Sequence, residues 1–152
     1  MTRIDFYILP DEQEAARLHF ACRLIDKAVQ RGHQVFVAAR DQAQAEQVDT
    51  LLWTFRPESF VAHQLRHTAA DQCNVLIGWQ EDCGDHHDLL INLSDQVPAF
   101  FSRFERLAEV VCQQPAVLEH TRQHWGFYRD RGYPIQSNKI AQGQLGSTHG
   151  QG

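Results

Sequence analysis

The feature that most limits the folds open to this chain is a change of hydrophobic period that repeats along its first half. Arg3 to Leu9 (RIDFYIL) is a short apolar run with β-branched and aromatic residues, which reads as a buried strand. Pro10-Asp11 ends it, and Asp11 is placed to cap a helix from about Glu12 to Arg31. In that helix Ala15, Leu18, Cys22, Ile25 and Val29 recur at spacings of three and four, which makes one apolar face. Gly32 follows the basic Lys27 and Arg31, as a C-terminal stop should. Gln34 to Ala39 (QVFVAA) returns to a strand, and Asp41 caps a second helix, about Gln42 to Trp53, with Ala45, Val48 and Leu52 inward. Val75 to Trp79 and Leu89 to Leu93 predict a third and a fourth strand, Pro98 to Phe104 a short helix, and Leu107 to Cys112 a fifth strand. Pro115 suits the first turn of a last helix that Gly132 would end. Strand-helix-strand-helix-strand order predicts an α/β fold, with an open, largely parallel sheet and helices on its faces.

From Gln136 the chain turns to Gln, Gly, Ser and Asn without periodicity, which predicts a single domain over 1–135 and a flexible tail over 136–152. The formal net charge of -5 argues against non-specific nucleic-acid binding, which needs a basic surface to release counterions. Cys22, Cys73, Cys83 and Cys112 are widely spaced with no C-x-x-C. Cys22 and Cys112 lie on apolar stripes and read as buried small hydrophobes. A reducing cytoplasm is the expected compartment, with neither signal peptide nor membrane span.

A sheet of this kind invites a nucleotide at the turn after its first strand. Here that turn is Leu9-Pro10-Asp11-Glu12-Gln13, with no glycine, no Lys and two carboxylates that repel phosphate. Gly143-Gln144-Leu145-Gly146-Ser147 imitates a phosphate loop but has no Lys and follows no strand. Asp82-Cys83-Gly84-Asp85-His86-His87-Asp88 holds metal-ligand types, yet adjacent ligands in a short loop rarely close a tetrahedron, and a solvated loop is the plainer reading. No G-x-S-x-G elbow marks a nucleophile, and Ser59 and Ser94 lack the context of one. The expectation is no cofactor, no metal and no catalytic residue. A small α/β hydrolase or nucleotide-dependent transferase working at the sheet's carboxyl edge stays open as the rival, because a triad can be assembled from distant parts of a fold.

Two surfaces carry the chemistry of binding. On the last helix Val117, Thr121, His124 and Tyr128 share one line, and Leu118, Arg122, Trp125 and Arg129 the next. Two guanidiniums beside an indole can grip carboxylates and pack an apolar side chain, which suits a short acidic peptide ending in a hydrophobic residue. The alternative is a core Trp125 between solvated arginines. The second surface is the stretch from Leu51 to His63, where Trp53, Phe55, Phe60 and Val61 follow the second helix. Aromatics in a loop either cover a satellite of the core or present a hot spot to a partner.

Leu52-Trp53 through Arg56-Pro57-Glu58-Ser59-Phe60-Val61-Ala62-His63 resembles the central motif of the chi subunit of bacterial DNA polymerase III. Phe6-Tyr7-Ile8-Leu9 is similar to the family's first strand, and Leu89-Leu90-Ile91-Asn92-Leu93 to its D-x-L-I-x-L strand. Arg122, Trp125, Tyr128-Arg129 and Gly132-Tyr133 resemble its closing R-x-x-[YW]-x-x-Y-R-x-x-G helix, so the likeness runs over residues 3–135. The resemblance implies a three-layer α/β/α fold, nucleotide-binding-like but without a phosphate loop, and a non-catalytic adaptor in DNA replication. The implied partners are the psi subunit of the clamp loader and the acidic C-terminal tail of the single-stranded-DNA-binding protein, with a repair helicase as a further candidate. By the same resemblance Arg122, Trp125 and Arg129 take the tail, and Trp53, Phe60 and Val61 take psi or the helicase. Two lysines that flank the tail site in the family fall on Leu118 and Gly126, which removes positive charge; His120 and His124 would supply some at lower pH.

Overall fold

The computed structural model describes residues 1–55, 63–65, 74–79 and 86–141. Seven parallel strands form one sheet: β1 (Arg3–Ile8), β2 (Val35–Ala38), β3 (His63–Leu65), β4 (Val75–Gly78), β5 (Leu89–Asn92), β6 (Arg106–Val111) and β7 (Ile135–Lys139). Their spatial order is β3-β4-β2-β5-β6-β1-β7. Among the described residues three α-helices join them: α1 (Glu14–Gln30), α2 (Gln42–Phe55) and α3 (Pro115–Asp130).

The central strands β2 and β4 are buried on both faces. VFVA of β2 and VLIG of β4 are buried at every residue, so their sequences read as continuous apolar runs without alternation. One core joins α1 and α2 to one face of the sheet through Leu18, Ile25, Val48, Val37, Ile77 and Val110. The other core packs Val117 and Tyr128 of α3 on Phe6, Leu90 and Leu107. Helices on both faces make the three layers the resemblance implies.

Local chemistry fixes most boundaries. Asp41 Oδ1 accepts the Gln44 N–H at 2.9 Å, which caps α2 as its position predicts. Gly32 and Gly132 take φ of 83° and 78° just past α1 and α3, the left-handed turn that stops a helix. Asp11 does not cap α1. That helix starts at Glu14 without a side-chain cap, and the Asp11 carbonyl instead accepts the Gln113 N–H at 2.7 Å. The helix expected over Pro98 to Phe104 is a single 3-10 turn, Phe101–Arg103.

Two strands escape the hydrophobic pattern. β3 is only three residues long, so Val75–Gly78 is the fourth strand and not the third. The flexible tail expected from Gln136 is corrected up to residue 141. Residues Ile135–Lys139 pair with β1, and the Ile140 N–H donates to the Ile8 carbonyl at 2.9 Å. The backbone of β1 supplies the register, so an edge strand such as β7 needs little apolar alternation of its own. Residues 142–152 of that expected tail lie outside the described residues.

Candidate functional site: the outer flank of α3

Where doubly wound proteins bind their ligands, at the carboxyl ends of the strands, this chain places its own side chains. Arg17 of α1 is buried there. Its Nε donates to the Val110 carbonyl at 2.7 Å and its Nη2 to the Leu93 carbonyl at 3.2 Å. Glu14 holds Nη1 at 3.2 Å and accepts Gln44 Nε2 at 2.9 Å, while Gln44 Oε1 accepts the Arg40 N–H at 2.6 Å. This chain of contacts ties α1 and the start of α2 to the ends of β5 and β6. Arg17 sits one residue before Leu18 on the apolar helix, and that misplaced charge was the sequence signal for it.

Between β2 and β5, whose chains leave in opposite directions, a crevice of about 330 Å³ opens beside Arg40, Trp79, Ser94 and Phe100. The Ser94 hydroxyl lies 2.7 Å from both Asn92 Oδ1 and the Gln96 carbonyl, so an amide and a backbone oxygen take it, not a histidine base. Of the metal-ligand run Asp82–Asp88, residues 82–85 lie outside the described residues. Among the described residues no group of three or more His, Cys, Asp or Glu is placed to hold a metal ion.

The two lines of α3 have opposite fates. Val117, His124 and Tyr128 face the sheet and are buried. Glu109, a carboxylate inside the apolar run of β6, meets them. Its Oε1 lies 3.1 Å from His124 Nδ1, and its Oε2 accepts Tyr128 Oη at 2.6 Å and Asn92 Nδ2 at 2.9 Å. His124 Nε2 is 3.0 Å from the Asp95 carbonyl. Both ring nitrogens therefore face acceptors, which is the arrangement of an imidazolium. Burial opposes that charge, but the hydrogen bond and attraction of Glu109 and the Asp95 carbonyl outweigh it, and the His124 pKa is raised. Burial, then Glu109, pushes the Tyr128 phenol far up. His124 points inward, so its expected help at the tail site is corrected: its ring is turned to Glu109 and the Asp95 carbonyl, away from the outer flank. His120 stands 3.5 Å from Asp95.

The second line is open. Trp125 is half-buried, its ring 4.8 Å from that of Phe6 with the planes tilted by 48°. It is neither core nor free flag: the indole rests on β1 and leaves part of itself to solvent. Leu118 packs against the same core. Arg122 and Arg129 are exposed; among the described residues Glu119 stands 3.7 Å from the first and Asp130 3.2 Å from the second. Exposed pairs of this kind hold a guanidinium weakly. The structure thus brings Arg122, Trp125 and Arg129 together on one flank, whose Trp125 rests on Phe6 of β1. Trp53, in the last turn of α2, is 57% exposed. Phe60 and Val61 lie outside the described residues.

These features define an α/β/α protein of nucleotide-binding-like topology whose strand ends are tied by its own side chains and whose open chemistry lies along a helix. A family model, that of the DNA polymerase III chi subunit, HolC, matches residues 1–136. The chain belongs to this family of DNA replication proteins. It is 43% identical over 140 residues to DNA polymerase III subunit chi of Pseudomonas aeruginosa, covering 92% of this chain and 98% of that one. The same subunit of Haemophilus influenzae is 27% identical, with coverage of 89% and 95%, and that of Escherichia coli 25%, with coverage of 90% and 97%. Among solved structures, T4 UvsW superposes with a TM-score of 0.61 at 10% identity over 91% of this chain. This chain spans 41% of the length of that one, and the likeness is one of fold alone. Among the described residues no helix is long and apolar enough to cross a membrane.

Proposed function

We propose that this chain is a non-catalytic adaptor of the DNA polymerase III holoenzyme. It bridges the clamp loader, through psi, to the acidic C-terminal tail of the single-stranded-DNA-binding protein. The observation that carries this reading is the Arg122–Trp125–Arg129 flank: two exposed guanidiniums on either side of a half-buried indole that rests, tilted, on Phe6. A tail carboxylate meets a guanidinium fork, and an aromatic residue at the tail's end meets the indole. The exposed Trp53 at the end of α2 supports a second partner surface for psi or a repair helicase, remote from the first in sequence. Arg17 at the strand ends and the amide-bound Ser94 weigh against the enzyme alternative.

Calorimetric titration with an acidic peptide ending in Ile-Pro-Phe tests the reading, beside the same peptide without its Phe. Micromolar binding that disappears without the Phe is expected, and Arg122→Ala should weaken it at least about tenfold, near 1.4 kcal/mol, with the fold intact. Equal affinity in wild type and Arg122→Ala would move the site elsewhere.

A further inference from the structure

Trp125 of α3 rests on Phe6 of β1, and beyond β1 lies β7, the last strand of the sheet among the described residues. The register fixes which way the β7 backbone points. The Ile4 N–H donates to the Pro134 carbonyl, and the Ile140 N–H donates to the Ile8 carbonyl, both at 2.9 Å. With Ile4 opposite Ile135, Phe6 opposite Ser137 and Ile8 opposite Lys139, the ladder to β1 uses the even residues of β7. The N–H and C=O groups of Ile135, Ser137 and Lys139 are therefore directed outward, where another strand would pair.

The side chains of the same three residues stand on the α3 face of the sheet, because Ile4, Phe6 and Ile8 opposite them belong to the core under α3. Outward backbone groups and side chains on the α3 face thus run along the same edge. Trp125 rests on Phe6, whose partner on β7 is Ser137, and Leu118, Trp125 and Ile135 pack against one core, so the Arg122–Trp125–Arg129 line of α3 stands one strand in from that edge. Gln136, Ser137 and Lys139 are exposed. Lys139 is exposed on the sheet face that α3 covers and adds a cation to the two guanidiniums of the helix. The chain as a whole is acidic at -5, so this concentration of positive charge selects an acidic segment.

We propose that the acidic peptide binds by strand addition, pairing its backbone with Ile135, Ser137 and Lys139 on the outer edge of β7, with Lys139 as a specificity-determining cation. The inference rests on the adaptor reading above and deepens it. Strand addition gives affinity through main-chain bonds and specificity through alternate side chains, so a bound tail needs only a few side-chain grips to be held in one register.

The test uses the full-length protein and a set of acidic peptides ending in Ile-Pro-Phe, each methylated at one backbone nitrogen. Strand addition predicts a period of two: methylation at alternate residues weakens binding about tenfold or more, and methylation at the residues between has little effect. Ser137→Pro removes one outward N–H at an edge position that tolerates proline, and should weaken binding about tenfold with an unchanged melting temperature. Lys139→Gln should lower affinity and flatten its dependence on salt. A flat methylation profile with normal binding to Ser137→Pro overturns strand addition, while loss of binding in Arg122→Ala still upholds the adaptor. No binding of the unmethylated peptide overturns both.

Discussion

The two sides of α3 carry similar chemistry and treat it in opposite ways. Facing the sheet, His124 and Tyr128 meet Glu109, and every polar atom named there has a partner between 2.6 and 3.1 Å. Facing solvent, Arg122 and Arg129 have single exposed acids beside them, at 3.7 and 3.2 Å. A charge under the helix must be neutralised, because the low-dielectric interior penalises it by several kcal/mol if it is left alone. A charge on the outer flank stays in water and remains available. The inner network sets where α3 lies, and the outer flank uses that placement: Trp125 is one residue from His124, so a helix pinned through His124 presents the indole over Phe6 in a fixed pose.

The sharpest way to break this division is from inside. Glu109→Ala leaves His124 and Tyr128 facing an empty position. Removing one partner of a buried ion pair costs about 3–5 kcal/mol, a large part of the stability of a domain this size. Chemical denaturation should show that loss, and tail binding should fall along with it. If Glu109→Ala is as stable as wild type, the network does not hold the helix.

How much of this division the sequence makes legible differs between the two sides. The lines Val117–Thr121–His124–Tyr128 and Leu118–Arg122–Trp125–Arg129 follow from helical spacing alone, and Val117, His124 and Tyr128 are indeed buried. The sheet's central strands are also legible, because parallel strands buried on both faces must be apolar throughout. What escapes is set by contacts across long sequence separations. The bond from Arg17 Nε to the Val110 carbonyl spans 93 residues, and no local pattern encodes it. β7 escapes because its register comes from β1 and its QSNK stretch has the polar composition of a loop. Glu109 in LAEVV was visible as a charge within a strand, but its partners on α3 were not. The cost to the functional reading is specific. Without β7, the α3 flank reads as an isolated strip; with it, the flank stands beside a sheet edge whose outward backbone groups are those of Ile135, Ser137 and Lys139.

From outside, the comparison is sharpened by adding charge. Gly126 lies in the middle of α3, and a Cβ built there meets only the end of the Arg129 side chain, at an ordinary 3.8 Å. Gly126→Lys should therefore fit. It removes a glycine from a helix interior, worth about 0.5–1 kcal/mol of stability, and adds an ammonium on the solvent side between Arg122 and Arg129. The expected outcome is a higher melting temperature and tighter binding of the acidic tail peptide, with the gain in affinity shrinking as salt rises. Greater stability without any gain in affinity would mean that the acidic tail does not pass over this part of the helix.

The smallest effect separates the two sides by pH. The folded-state pKa of His124 is raised above its ordinary value of 6.5, so the folded protein holds that proton more tightly than the unfolded chain. The stabilisation is then fully present below 6.5 and is lost as pH rises through the folded value. The groups that set it face His124 from every side: Glu109 on β6 and the Asp95 carbonyl favour the charge, and Arg17 from α1 opposes it. His19, exposed on α1, has its pKa lowered by partial burial and by Arg23, and so contributes a weak slope of the opposite sign. The informative quantity is therefore the difference between wild type and His124→Gln, in which the His19 contribution cancels. That difference should shrink as pH rises above the ordinary histidine range, when both proteins carry an uncharged side chain at this position. No histidine stands among Arg122, Trp125 and Arg129, so tail affinity measured on the folded protein should change little over the same interval. If affinity and stability instead fall together with one apparent pKa, the inner network reaches through to the binding flank, and the separation between the two sides of α3 is one of geometry and not of energy.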